Sequence, residues 1–208
     1  MMPRSTAKVV PLRQHQKMGK LPPRRKTNAE LRSREYLTES EIEKLVKAAE
    51  KVGRHGHRDA TLILIAYRHA LRVSELVSLR WDAIDLGKGY IHVNRLKNGR
   101  DGTHPLSGRE IRALRRLKRD YPDSAHVFVS ERGGPMTASN VRKMLTRAGE
   151  GLGISVHPHM LRHGCGFRLA NKGIDTRSIQ AYMGHTSINS TVVYTEIAPQ
   201  RFKGFWKD

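Results

Sequence analysis

From residue 36 onward the chain alternates between helical and strand-like spacing of its apolar residues. Thr38-Glu39-Ser40-Glu41 is a capping box, and Ile42, Leu45 and Val46 beyond it share one side of a helix expected to run to about Val52. Between Arg58 and Arg68, Leu62, Ile63, Leu64, Ile65 and Ala66 face nearly every direction, which predicts a central helix buried all round. A short helix should follow from Val73 to about Leu79. Tyr90-Ile91-His92-Val93-Asn94 alternates as a strand, Asn98-Gly99 marks a turn, and the chain returns through Thr103 to Leu106. Ser107-Gly108-Arg109-Glu110 opens a helix that must stop before Pro122, and Val127-Phe128-Val129 reads as a short strand. Three further helices are expected: one from Thr137 to about Gly149, one with Pro158 in its first turn, and one from Asp175 to Gly184. A last helical turn spans Ser190 to Thr195. Many helices and few strands predict an α+β domain, mostly helical with a small antiparallel sheet.

Composition sets that domain in a strongly basic chain. Its 208 residues suit one domain with a tail, and 39 Lys and Arg against 19 Asp and Glu leave a formal charge of +20. Such a surplus favours a polyanion through counterion release, without selecting which one. Aromatic residues make up 6% of the chain, which argues against a binder that stacks single-stranded bases on exposed rings. Cys165 is the only cysteine, so there is no internal disulfide and no cysteine zinc cluster, and a reducing compartment fits. No apolar run reaches the roughly 20 residues of a membrane span, and no signal peptide opens the chain. The expectation is a soluble, cytoplasmic, nucleoid-associated protein with no membrane partner. Residues 1–35 hold ten Lys or Arg against two acids, together with Pro3, Pro11, Pro22 and Pro23. Too little apolar surface is available there to offset ordering, so this stretch is expected to be a flexible basic arm, with Arg24, Arg25 and Lys26 as candidate DNA contacts. A solvated tail is the competing reading.

The chemistry-bearing residues come in the order Arg72, Lys97, His159, Arg162, His185, Tyr194. Two guanidiniums can hold the two non-bridging oxygens of one phosphate, each with a planar fork. Lys97 or a histidine can give a proton to a departing oxygen, and another histidine can assist a tyrosine hydroxyl. Glu75 lies three residues after Arg72, near enough on a helix to orient it, although an ordinary surface ion pair has the same spacing. Lys97 precedes Asn98-Gly99, so a hairpin tip would carry it outward. Its neighbours Arg95 and Arg100 are rival donors or DNA-backbone contacts. His159 and Arg162 share a helix face. His163, four residues from His159, would suit a metal pair, but no third ligand motif accompanies it, so no metal is expected. Tyr194 has Tyr182 and Tyr121 as alternatives, and a lone tyrosine is usually a packing residue.

Taken together, Tyr67-Arg68-His69-Ala70-Leu71-Arg72-Val73-Ser74-Glu75-Leu76, His157-Pro158-His159-Met160-Leu161-Arg162-His163 and Tyr182-Met183-Gly184-His185, with Tyr194 nine positions past that histidine, resemble the tyrosine recombinase (phage integrase) family. Arg95-Leu96-Lys97-Asn98-Gly99 and Thr103-His104-Pro105-Leu106 are most similar to the short recombinases that invert fimbrial promoter switches. The resemblance runs from about Tyr36 to the end. It implies a tyrosine recombinase catalytic domain over 36–208. Arg72, Lys97, His159, Arg162 and His185 would then be catalytic around the nucleophile Tyr194, with Glu75 and His163 in support and neither metal nor ATP required. It also implies a terminal docking segment, 198–208, in which Phe202, Phe205 and Trp206 form an apolar stripe that packs on a neighbouring protomer or on its own domain. Cleavage would pass through a 3′-phosphotyrosyl link, with four protomers on two duplexes carrying paired recombination sites, for inversion or for integration and excision. Larger members add a helical domain that clamps DNA. Residues 1–35 are too few for one, so the basic arm or DNA-bending accessory proteins would have to compensate. A non-catalytic DNA-binding regulator and a single-subunit DNA relaxing enzyme remain the other classes.

If the arm lies on DNA phosphates, deleting residues 1–34 should weaken DNA binding and flatten its salt dependence, by about 0.9 in log–log slope for every phosphate the arm no longer neutralises. Binding titrations over a salt series check this, and an unchanged slope would leave the arm a solvated tail.

Overall fold

The computed structural model describes residues 35–96 and 99–196. Among them lie eight α-helices and one three-stranded sheet. In chain order these are α1 Glu39–Lys51, α2 Gly56–Arg68, α3 Val73–Val77, a 3-10 turn Trp81–Ala83, β1 Ile84–Asp85, β2 Tyr90–Val93, β3 Gly102–Pro105, α4 Gly108–Asp120, α5 Ala138–Glu150, α6 Pro158–Asn171, α7 Thr176–Met183 and α8 Asn189–Glu196. No described helix is long and apolar enough to cross a membrane.

Local chemistry explains where the helices begin. Thr38, Ser107 and Thr137 each accept from the backbone N–H of the third helical residue, and Glu41, Glu110 and Asn140 reach back to the cap, so three helices open on reciprocal capping boxes. Asp175 caps α7 by accepting from Ser178. Pro158 occupies the first turn of α6, where the missing N–H breaks no intrahelical bond. Helix α2 is the centre of the molecule: every residue from Arg58 to Tyr67 is buried, and α1, α4 and α6 pack around it. The buried Arg58 gives donors to Asp59 and to the Val129 carbonyl at 2.7 Å, which keeps its charge paired.

The sheet is antiparallel in the order β1-β2-β3, with Ile91 opposite Ile84 on one side and His104 on the other, and Val93 opposite Gly102. Ile91 and Val93 point into the core while Tyr90 and His92 face outward, as period-two alternation requires. Two features differ from the sequence expectation. Strand β1 is two residues long, too short to show an alternation. Val127-Phe128-Val129 is buried but is not a strand; it is held by single bonds, from Val127 N–H to Leu79 and from Met136 N–H to Phe128, and Val129 bridges to Pro135. Pro135 has no N–H to extend a ladder.

Close packing of α6 against the segment that leads into α1 depends on a small residue. A Cβ built at Gly164 would stand 2.7 Å from the Leu37 carbonyl oxygen and 3.4 Å from the Tyr67 ring. Gly164→Ala should therefore destabilise the domain by about 1–3 kcal/mol, read as a lower urea midpoint at unchanged slope. A midpoint equal to the wild type would mean that α6 shifts freely.

Candidate active site

The site begins where α2 ends. His69 and Ala70 close the helix, and Ala70 takes φ 50°, the left-handed conformation that side-chain-bearing residues adopt at a cost of about 1–2 kcal/mol. Leu71 N–H donates back to Ala66 at 3.0 Å, completing the reversal. The consequence is that the Ala70 carbonyl turns inward, where it accepts from two guanidiniums, those of Arg95 (3.0 Å) and Arg162.

Arg162, on α6, is 4% exposed and donates through its other terminal nitrogen to the Met183 carbonyl at 2.8 Å, at the end of α7. Burial, then repulsion from Arg72 and Arg95, pushes its pKa down to about 10, so it remains a cation at neutral pH. Arg72 caps α3, with its backbone N–H and its guanidinium each 2.8 Å from a different oxygen of Glu75. Glu75 is no surface partner, its side chain being 1% exposed, and it also receives Arg95 at 2.9 Å. Burial alone would raise the Glu75 carboxyl, but the bonds from Arg72 and then Arg95 outweigh it and hold it below the usual carboxylate range.

Arg95 corrects an expectation. Rather than reaching DNA, its side chain is 1% exposed, and its terminal nitrogens bond Ala70, Glu75, His69 (3.1 Å) and Tyr182 (2.9 Å). No face of it is left for a phosphate. Its place in sequence, two residues before Lys97 and just past the strand, gave no sign that it turns inward. Arg100 is exposed and its N–H donates to Gly184 at 3.2 Å. Gly184, at φ 66°, ends α7 where a Cβ would stand 2.6 Å from the Arg100 carbonyl and 2.7 Å from the Arg95 side chain. The hairpin root is thus locked to the end of α7. Lys97 itself lies outside the described residues, as do Arg24, Arg25, Lys26, Phe202, Phe205 and Trp206.

His185 is buried beyond Gly184, its Nδ1 2.8 Å from the Thr191 hydroxyl. Burial, then the nearby Arg162, Arg72 and Arg95, pushes it down to about 4, so at neutral pH it is a neutral imidazole that can donate a hydrogen bond. Tyr194, on α8, is 2% exposed. Phe167 meets its ring edge-on at 5.1 Å, His185 lies roughly parallel at 6.3 Å, and Gly166 lies so close that a Cβ there would be 2.8 Å from ring carbons. Its hydroxyl is 2.9 Å from His163 Nδ1. Arg162 and Arg72 favour the phenolate, as expected, yet burial is larger and pushes the hydroxyl up to about 12.

His159 is exposed one turn from His163, with ring centroids 6.2 Å apart. The structure therefore gathers Arg72, Glu75, Arg162, His163, His185 and Tyr194, with His159 at the rim. The two tyrosines that rivalled Tyr194 are engaged elsewhere: Tyr182 donates to the Arg68 carbonyl at 2.8 Å and Tyr121 meets His55 at 2.8 Å. His69 and His104 are structural, buried side by side at 3.2 Å, with His69 on Glu110 and His104 stacked on Tyr182 at 3.9 Å. Among the described residues no group of His, Cys, Asp or Glu could hold a metal ion.

Comparison with known proteins matches residues 35–201 to the model of the phage integrase family. The chain is 44% identical over 188 residues to the type 1 fimbriae regulatory protein FimB of Escherichia coli K12, covering 87% of this chain and 94% of the relative. It is 40% identical over 182 residues to FimE of the same strain, covering 84% and 91%. The crystal structure of XerA recombinase superposes with a TM-score of 0.70 at 27% identity, covering 82% of this chain and 63% of that one.

Arg95→Met should lower the unfolding free energy by about 3 kcal/mol, because it strips a buried carboxylate of one cation while Arg72 still pairs with it. Urea denaturation checks this, and a loss below about 1 kcal/mol would mean that Glu75 needs only Arg72.

Proposed function

Because the chain belongs to the phage integrase family and is a tyrosine recombinase, we propose that Tyr194 is the nucleophile of a site-specific DNA strand exchange centred on Arg72 and Arg162. The phenolic oxygen attacks the scissile phosphorus and the 5′ oxygen leaves, giving a 3′-phosphotyrosyl link and a free 5′-hydroxyl. The 5′-hydroxyl of the partner strand then reverses the step. Bond energy is conserved in the phosphotyrosyl ester, so the chemistry calls for no ATP.

Arg162 and Arg72 grip the non-bridging oxygens with the donors that carbonyls and Glu75 leave unused. Neutral His185 and rim-placed His159 add hydrogen bonds to the charge that develops at phosphorus, and Lys97 protonates the leaving oxygen. What supports this reading is the convergence of residues far apart in sequence. Tyr194 lies within the field of both Arg162 and Arg72, and Arg72 is 122 positions before it. The DNA carries paired recognition sites, bound by four copies of the chain, with the basic arm or DNA-bending proteins adding contacts to the duplex. Oppositely oriented sites give inversion, and separate molecules or directly repeated sites give integration or excision.

Tyr194→Phe should bind duplex with wild-type affinity and form no covalent adduct on a suicide substrate, in which a nick near the cleavage point lets the departing oligonucleotide diffuse away. Adducts that persist in this variant would place the nucleophile elsewhere. Wild-type protein that never forms one would make the chain a regulator, and relaxation of supercoiled DNA lacking any site would make it a relaxing enzyme.

A further inference from the structure

The phenol has a problem that the guanidiniums do not solve. With its hydroxyl pushed up to about 12, the fraction ionised at neutral pH is on the order of 10⁻⁵. An attacking tyrosine in this setting needs a group that takes its proton as the bond to phosphorus forms. Such a group must touch the phenolic oxygen itself, and His163 does, with Nδ1 at 2.9 Å.

Resting on the assignment of Tyr194 as nucleophile, we infer that His163, rather than the His159 of the same run, is the general base for Tyr194. The other candidates are placed for other tasks. His185 Nδ1 is engaged by Thr191 at 2.8 Å, and its ring lies roughly parallel to the phenol, 6.3 Å away. His159 stands at the surface with its ring 6.2 Å from that of His163. Cys165 is fully buried, and desolvation holds its thiol up at about 12. Glu75 is saturated by two arginines.

The backbone makes the His163 contact rigid. His163 follows Arg162 directly on α6, so the helix that anchors the phosphate-binding guanidinium also fixes the imidazole. Gly166 and Phe167, one turn on, hold the phenol ring against the same helix. With its proton on Nε2, His163 accepts the Tyr194 hydroxyl at Nδ1. In the cleavage step the O–H bond breaks as an N–H bond forms on Nδ1. The phenolic oxygen bonds to phosphorus, the bond to the 5′ oxygen breaks, and that oxygen takes its proton from the acid on the opposite side. When the incoming 5′-hydroxyl reverses the step, His163 returns the proton to the departing phenol.

Single-turnover cleavage of a suicide duplex tests this with the full-length chain and its His163→Gln variant, whose amide can hold the hydroxyl but cannot take its proton. The variant should bind duplex as the wild type does and form adducts about 10²–10³-fold more slowly. Its rate should climb steadily with pH, as phenol ionisation by solvent replaces the lost base. A substrate with sulfur in place of the bridging 5′ oxygen, which leaves without a proton, should not restore the rate, because the defect lies on the nucleophile. In His163→Ala, added imidazole should recover cleavage in proportion to its neutral form. Cleavage by the Gln variant within about threefold of wild type, or recovery on the sulfur substrate, overturns the assignment. So does faster cleavage, which would make the hydrogen bond a resting-state latch, and so does an Ala variant that folds and binds DNA yet ignores imidazole. Adducts in Tyr194→Phe would instead remove the nucleophile on which the inference rests.

Discussion

Two buried arginines, Arg95 and Arg162, meet at the centre of the site, and the ends of two helices make that tolerable. An unpaired guanidinium inside a protein is costly, because its charge loses water and its N–H groups lose partners. Here the carbonyls left unbonded at the C-terminal ends of α2 and α7 supply the partners: His69 and Ala70 from one, Tyr182 and Met183 from the other. Those same helix ends carry the negative pole of the peptide dipoles, which favours a cation there. The arrangement fixes the position of α2 relative to α7, and therefore of Arg72, which follows the first, relative to His185, which follows the second. The left-handed Ala70 is the local strain that this geometry requires, since only the reversal turns its carbonyl toward both guanidiniums.

Charge balance in the cluster has a direction. Arg72, Arg95 and Arg162 face one carboxylate, Glu75, so three positive charges against one negative leave a surplus of two. A phosphodiester carries one negative charge and its pentavalent state carries more, so such a site gains attraction as the reaction proceeds. Arg95, with its side chain 1% exposed, contributes its charge to the site from within the protein. Its charge also helps to keep His185 neutral and lowers Arg162, so it acts on groups it does not bond.

Sequence patterns revealed the helices well, because their capping boxes and apolar periodicity are local, and the run from Leu62 to Ala66 announced a centre buried on every side. The motif residues were legible for a different reason: each stands in a short constellation with its own neighbours. What could not be read was anything set by tertiary closure. Arg95 looked like a surface cation beside Lys97, since nothing in the neighbouring residues betrays a side chain that bonds three separate carbonyls. The reversal at Ala70 could not be read either, because a left-handed alanine leaves no mark where a glycine would. Val127-Phe128-Val129 has strand composition, and only the absence of a partner able to continue the ladder keeps it irregular.

The deepest tension in the site lies between the phenol and its surroundings. Cations draw Tyr194 toward ionisation, while burial against Gly166 and Phe167 opposes it and prevails. On the proposed assignment, a phenolate permanently ionised in so basic a cluster would pair with the arginines and compete with the phosphate. Keeping the proton on the oxygen would leave Arg72 and Arg162 available to the phosphate when DNA arrives, and would make the phenol depend on its neighbour on α6. Desolvation would thus do two jobs in one place: it holds the phenol neutral and would strengthen every electrostatic contact once a phosphate has displaced water. The need for a base follows from the first, and the reach of the guanidiniums follows from the second.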